Sequence, residues 1–183
     1  MKFSVWAPHA RSSVSLSVGA ETFAMQPAGS GYWELEHEAP PGTQYSYLLD
    51  DGEPRADPRA LRLPDGPAGP SEIVDVGAFA WTDDAWRGIP LPGSVIYELH
   101  VGTFTAAGTL DAAIERLDHL VGLGVDLVEL MPVATFPGRY GWGYDGVGLW
   151  AVHEPYGGPY DFCAFVDACH ARGLAVCLDV VYN

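Results

Sequence analysis

Lysine is almost missing from this chain: Lys2 is the only one, and asparagine also occurs once, at Asn183. Nine basic against 24 acidic side chains in 183 residues leave a formal charge of −15. Binding to nucleic acid or to an anionic membrane surface depends on Lys and Arg displacing counterions, so neither partner is expected. Cysteine is scarce as well. Cys163, Cys169 and Cys177 are odd in number and confined to the last 21 residues, which excludes the disulfide framework of a small secreted domain. They form no C-x-x-C pair, and His170 beside Cys169 has no spacing that would converge ligands, so no metal is expected. Long hydrophobic runs are absent. Met1 to Ser13 has no apolar signal-like core, and the most apolar run, Leu174 to Tyr182, contains Asp179 and is far too short to cross a bilayer. A cytoplasmic protein with a neutral partner is the expectation.

What is present is hydrophobic and aromatic. Hydrophobic residues make up 48% and aromatics 12%, enough for packed cores and against global disorder. Many of the 22 glycines and 15 prolines fall between residues 40 and 93, where a domain boundary is expected.

The first half reads as strands. Phe3 and Val5, Val14 to Val18, Phe23 and Met25, Tyr32 to Leu35, and Tyr45 to Leu49 alternate with period two. Turn signals separate them at roughly 8 to 12 residues, the rhythm of a small β-sandwich. Ile73 to Val76 can add another strand. Gly52 to Pro70, with five prolines, reads as a long surface connection without regular structure, and Trp81 and Trp86 after it read as staples between two domains.

From Val95 the pattern becomes strand, helix, strand, helix, strand. Val95 to Val101, Val125 to Met131 and Leu174 to Tyr182 have strand length. Thr109 or Asp111 can cap a helix burying Leu110, Ile114, Leu117 and Val121, which Gly124 ends. A second helix, about Tyr160 to Arg172, buries Phe162, Phe165, Val166 and Cys169, and Gly173 stops it. Near-continuous apolar strands joined by amphipathic helices imply a parallel sheet covered by helices. Gly141-Trp-Gly-Tyr-Asp-Gly146 matches G-x-G-x-x-G by letter, but no strand ends just before it and no helix follows, so a nucleotide site is rejected. A (β/α)8 barrel is the architecture expected instead. Each strand carries an acid: Glu98 and Glu129 are expected to be paired within the barrel, and Asp179, late in its strand, is the site candidate.

Between Met131 and Tyr160 runs a connection far longer than a usual βα loop, holding seven of the 22 aromatics. Aromatic faces among glycines suit the C–H faces of neutral pyranose rings, and a loop folded over its own hydrophobic cluster explains them equally well. Both readings stay open at this point.

Several stretches resemble the opening of the α-amylase superfamily barrel: Val95-Ile-Tyr-Glu-Leu-His-Val-Gly-Thr-Phe104, Val128-Glu-Leu-Met-Pro-Val133, Gly141-Trp-Gly-Tyr-Asp-Gly146, Tyr156-Gly-Gly-Pro159 and Asp179-Val-Val-Tyr-Asn183. Within it they are most similar to the maltooligosyltrehalose trehalohydrolases. Phe3-Ser-Val-Trp-Ala-Pro8 resembles the start of the immunoglobulin-like module that precedes such barrels. The resemblance implies a multi-domain chain: residues 1–85 an immunoglobulin-like β-sandwich, 86–94 a linker, and 95–183 the first three βα units of a truncated (β/α)8 TIM barrel. It implies that Tyr144 stacks on sugar at the cleavage subsite, that Trp142, Asp179 and Asn183 lie at the substrate, and that Asn183 precedes a histidine not found here.

The implied activity is retaining hydrolysis of the α-1,4 bond that releases trehalose from maltooligosyl trehalose. The resemblance places the family's catalytic carboxylates on later strands, so no catalytic residue is assigned within this chain, which is expected to be inactive alone. An α-glucan or maltooligosyl trehalose is the implied partner, and no cofactor is called for, since carboxylates and water suffice. A glycogen branching or debranching enzyme and a non-catalytic α-glucan-binding module remain the alternatives.

Overall fold

The computed structural model describes residues 1–50 and 52–182. Seven short strands occupy the first half: β1 (Lys2–Trp6), β2 (Val14–Val18), β3 (Glu21–Ala24), β4 (Gln26–Gly29), β5 (Tyr32–Glu36), β6 (Gln44–Leu49) and β7 (Ser71–Glu72). They pair antiparallel in two sheets, of order β1-β5-β4 and β3-β2-β6-β7. Alternation explains which faces are covered. Phe3 and Val5 of β1, Val14 and Leu16 of β2, and Tyr45 and Tyr47 of β6 are buried together in one core. The expected strand around Phe23 and Met25 is two strands in different sheets. The chain passes from β3 to β4 at Met25, whose side chain is buried in the shared core and whose N–H donates to the Val14 carbonyl at 2.9 Å. The strand expected at Ile73 to Val76 is only Ser71–Glu72, followed by a 3₁₀ turn at Val76–Ala78.

The second half contains β8 (Ile96–Leu99), α1 (Val101–Phe104), α2 (Leu110–Ile114), α3 (Leu117–Gly122), β9 (Leu127–Leu130), β10 (Ala134–Thr135), β11 (Gly148–Val152), α4 (Gly158–His170) and β12 (Ala175–Leu178). β8, β9 and β12 form a parallel sheet with β9 in the middle. Its core joins Leu99, Val128 and Leu130 to Leu110, Leu117 and Leu120 and to Phe165 and Cys169 of α4. None of the helices among the described residues is long and apolar enough to cross a membrane.

Two expectations are corrected. The first helix is two helices, and Val121 is 43% exposed while Leu120 is fully buried. Thr109 supplies the cap, accepting from the Ala112 N–H at 3.2 Å. At the break the Arg116 N–H reaches back three residues, to the Ala113 carbonyl at 3.0 Å. That overwound turn rotates everything after it further round the axis, so an earlier residue reaches the buried face. α4 likewise runs two residues earlier than expected and buries Cys163, Phe165 and Cys169, with Phe162 and Val166 at the flanks.

The Gly- and Pro-rich stretch from Gly52 to Pro70 has no helix or named strand, as expected, yet it is not a surface connection. Asp57 is buried and its carboxylate accepts from Tyr45 Oη at 2.9 Å and, more weakly, from Tyr47 Oη at 3.5 Å. Burial, then the Asp57 charge, pushes both phenols well up. Ala60 and Leu63 are buried with Ala151 of β11. Arg62 ion-pairs with both Glu72 and Glu154. Trp86 stacks on His170 of α4 with ring centroids 4.5 Å apart at 12°. Trp81 is 42% exposed and packs edge-on against Phe79 instead.

Candidate functional site

The parallel sheet sets the site's floor. Pairing aligns Leu99, Leu130 and Leu178, so all three strands end level, and the residues just beyond are His100, Met131 and Asp179. The Asp179 N–H donates to the Leu130 carbonyl at 2.9 Å, which fixes Asp179 one residue past the end of β12, not within it as the longer expected strand placed it. One residue back, Glu98, Glu129 and Cys177 share a register row on the sheet face turned away from the helices. Glu98 and Glu129, expected to be paired within the barrel, are neighbours in register on adjacent strands, and among the described residues neither makes an ion pair.

The long connection is the site's roof. β10 and β11 turn it into an antiparallel ribbon, an element the sequence reading left out. Its aromatics divide. Phe136 and Tyr156 are buried with His153, which stacks on Phe136 at 3.8 Å and 16°. Burial lowers the His153 pKa, and the ring faces the Arg139 carbonyl through Nε2 at 3.4 Å. Tyr140 and Trp142, by contrast, are 88% and 74% exposed, and Tyr144 and Trp150 also reach solvent. The loop thus folds over a hydrophobic cluster of its own at Phe136 and Tyr156, and its other aromatics are left at the surface.

Tyr144 and Asp179, 35 residues apart in sequence, come together: the Tyr144 hydroxyl donates to Asp179 Oδ2 at 3.4 Å. Partial desolvation, then the charges of Asp179, Glu98 and Glu129, raise the Tyr144 phenol. It therefore stays protonated and donates to Asp179. Trp142 is two residues from Tyr144 on the same rim, and Asn183 lies outside the described residues. The turn that carries both aromatics depends on Gly143, where φ is +88° and a Cβ would come 2.2 Å from the Pro132 carbonyl oxygen. Beside Asp179 opens a cavity of about 690 Å³ walled mostly by apolar groups, among them Trp81, Trp150, Phe162, Leu178 and Tyr182.

The sequence reading gave no role to His100 or Tyr156. His100 Nε2 meets the Gly141 carbonyl at 2.8 Å and Tyr156 Oη at 3.1 Å, and Nδ1 meets Thr103 Oγ1 at 3.0 Å. A polar ring at the very end of an apolar strand was the available signal. What it bonds to depends on a loop 41 residues away.

Chemically, the rim offers flat aromatic faces beside a carboxyl and a phenol, which suits a neutral polyhydroxyl ligand.

A protein of Arthrobacter ramosus named malto-oligosyltrehalose trehalohydrolase is 56% identical over 100% of this chain, which covers 32% of that protein. One of the same name from Saccharolobus solfataricus is 42% identical over 99% of the chain and 32% of its own length. A crystal structure of an alpha-amylase-type protein from Salmonella typhimurium superposes with a TM-score of 0.94 at 43% identity, over 98% of this chain and 31% of that one. A pullulanase from Anoxybacillus sp. LM18-11, solved with maltotetraose, superposes at 0.81 with 25% identity over 100% of this chain and 33% of that one. The chain thus spans about a third of the length of the curated relatives it matches. The profile of the alpha amylase catalytic domain matches residues 76–183, more than half of the sequence, and the chain belongs to the alpha-amylase family.

Proposed function

We propose that this chain contributes the first part of a retaining glycoside hydrolase that releases trehalose from maltooligosyl trehalose, and that Trp142, Tyr144, Asp179 and Asn183 face the sugar. The contact between Tyr144 and Asp179 carries the reading: it places an aromatic face and a carboxylate at one point on the C-terminal rim of a parallel sheet. That rim is where barrel enzymes do their chemistry. The relatives of the same activity support the substrate. In this reading residues 1–85 are an immunoglobulin-like sandwich, 86–94 a linker, and 95–183 the opening βα units of a (β/α)8 barrel in a cytoplasmic enzyme. Retaining hydrolysis uses two carboxyls about 5 Å apart. This reading assigns them to the two thirds of the relatives' length that lie outside the match.

A branching enzyme is the second reading, favoured by one observation: a GlgB-type 1,4-alpha-glucan branching enzyme of Xanthomonas euvesicatoria is 34% identical over 99% of the chain. One experiment separates the outcomes. The chain is titrated with maltoheptaose by tryptophan fluorescence and incubated with maltooligosyl trehalose under a trehalose assay. Binding without trehalose release is expected. Absence of binding would remove the sugar-facing assignment, and measurable turnover would overturn the placement of the carboxylates.

A further inference from the structure

We propose that His100 is a positioning residue for the sugar-facing rim: it holds the backbone at Gly141, just before Trp142, so that Tyr144 reaches Asp179. The inference rests on the sugar-facing reading of those two aromatics. A carbonyl oxygen only accepts, so the 2.8 Å contact between His100 Nε2 and the Gly141 oxygen requires a proton on Nε2. In the neutral ring Nδ1 is then an acceptor, and the Thr103 hydroxyl donates to it at 3.0 Å. Tyr156 Oη, 3.1 Å from Nε2, is left to accept a share of the same proton. Every polar atom of the ring is thereby used, and one of them holds the loop. No other described side chain donates to the Gly141 carbonyl. From below, a Cβ at Gly141 would meet the Phe136 ring at 2.7 Å, so the segment rests on Phe136 while His100 ties it from the side. His100 itself is anchored just past the end of β8, beside the end of β9 at Met131 and one strand further from Asp179 of β12.

The test compares three substitutions in the whole chain. His100→Phe keeps a ring without the donor, His100→Asn reaches only the Nδ1 position, and His100→Gln places an N–H where Nε2 stands. Affinity for maltoheptaose is measured by fluorescence titration, and amide exchange is followed across residues 138–146. His100→Phe and His100→Asn should weaken binding by about tenfold, the weight of one hydrogen bond, and speed exchange in that segment alone. His100→Gln should restore both. The proposal is overturned if His100→Phe exchanges and binds as the parent does, or if exchange rises evenly across the chain, which marks a core residue only. It is also overturned if His100→Gln leaves both defects in place. Should the unsubstituted chain bind no maltoheptaose, the sugar-facing reading fails, while the exchange arm still decides whether His100 holds the segment.

Discussion

Gly143→Ala should damage the rim far more than the chemically identical change at Gly138. Both glycines lie in the same connection with nearly the same backbone, φ +88° and +89°. An L-residue in that left-handed region costs about 1 kcal/mol at either position. Space separates them. A Cβ at Gly138 meets nothing within 4 Å, whereas at Gly143 it would lie 2.2 Å from the Pro132 oxygen and 3.1 Å from the Pro132 Cβ. Contacts of that kind are comfortable only beyond about 3.5 Å, so the turn must retreat by roughly 1 Å. Forced displacement of a packed segment adds about 1–3 kcal/mol. The Tyr144 to Asp179 hydrogen bond is already 3.4 Å long and does not survive a shift of that size.

Thermal unfolding of a chain this long moves by about 2–4 °C per kcal/mol. Gly138→Ala should therefore lower the midpoint by about 3 °C with maltoheptaose affinity kept. Gly143→Ala should lower it by about 4–16 °C and lose most of the affinity. Equal midpoints for the two variants, with binding intact in both, would refute the argument that the Pro132 carbonyl sets the height of the rim.

Leu120→Ala should cost about 2–5 kcal/mol in urea denaturation, because Leu120 is fully buried. Val121→Lys, at an exposed position, should change stability by less than about 0.5 kcal/mol, and comparable losses would restore the continuous helix that the sequence pattern suggested. Asp50→Asn tests the turn at residues 11–13. The Arg11 N–H, then the N–H and hydroxyl groups of Ser12 and the Ser13 N–H, hold the Asp50 carboxyl down at about 2. A depressed carboxylate stabilises the fold above its ordinary pKa, near 4, and that contribution disappears as pH falls from about 4 to about 2. Thermal midpoints of parent and variant should therefore differ at pH 5 and converge toward pH 2; a constant gap would contradict the assignment.

Strands with one covered face were legible because burial has to alternate there. β1, β2, β5 and β6 fall where the period-two runs placed them. The parallel strands were legible as apolar runs but too long at their ends. Leu178 is followed by Asp179, whose backbone still bonds to β9 although the strand has ended. Apolar residues there face a cavity, which a pattern of hydrophobicity cannot distinguish from a sheet. The break between α2 and α3 was illegible, since Ile114 to Leu117 contains neither Gly nor Pro and the overwinding is set by packing. Of the candidate site, Asp179 was legible as an acid late in an apolar strand and Tyr144 through family resemblance, and their contact came only from the fold. His100 and Tyr156 were missed because their roles are relations to a loop 41 residues downstream of His100, and no local spacing encodes that distance.

The junction of the two cores determines how firmly the rim is oriented. Arg62 bonds Glu72 next to the sandwich and Glu154 in the turn that leads into α4. Its guanidinium is about a third exposed, so the pairs contribute direction more than energy. Leu63, at 2% exposure against Ala151 of β11, contributes the larger share, about 2 kcal/mol for a buried leucine. On the far side, the Thr82 N–H and hydroxyl donate to Asp167 at 2.8 and 2.7 Å, and His170 lies between Trp86 and Asp83. One stretch of chain therefore grips α4 near both ends and supports β11 from beneath. β11 is the outer strand of the ribbon that carries Trp142 and Tyr144, and α4 leads into β12 and Asp179. Both Tyr144 and Asp179 are thus carried on elements braced by residues 60–86, which makes the proline-rich segment part of the candidate site's scaffold.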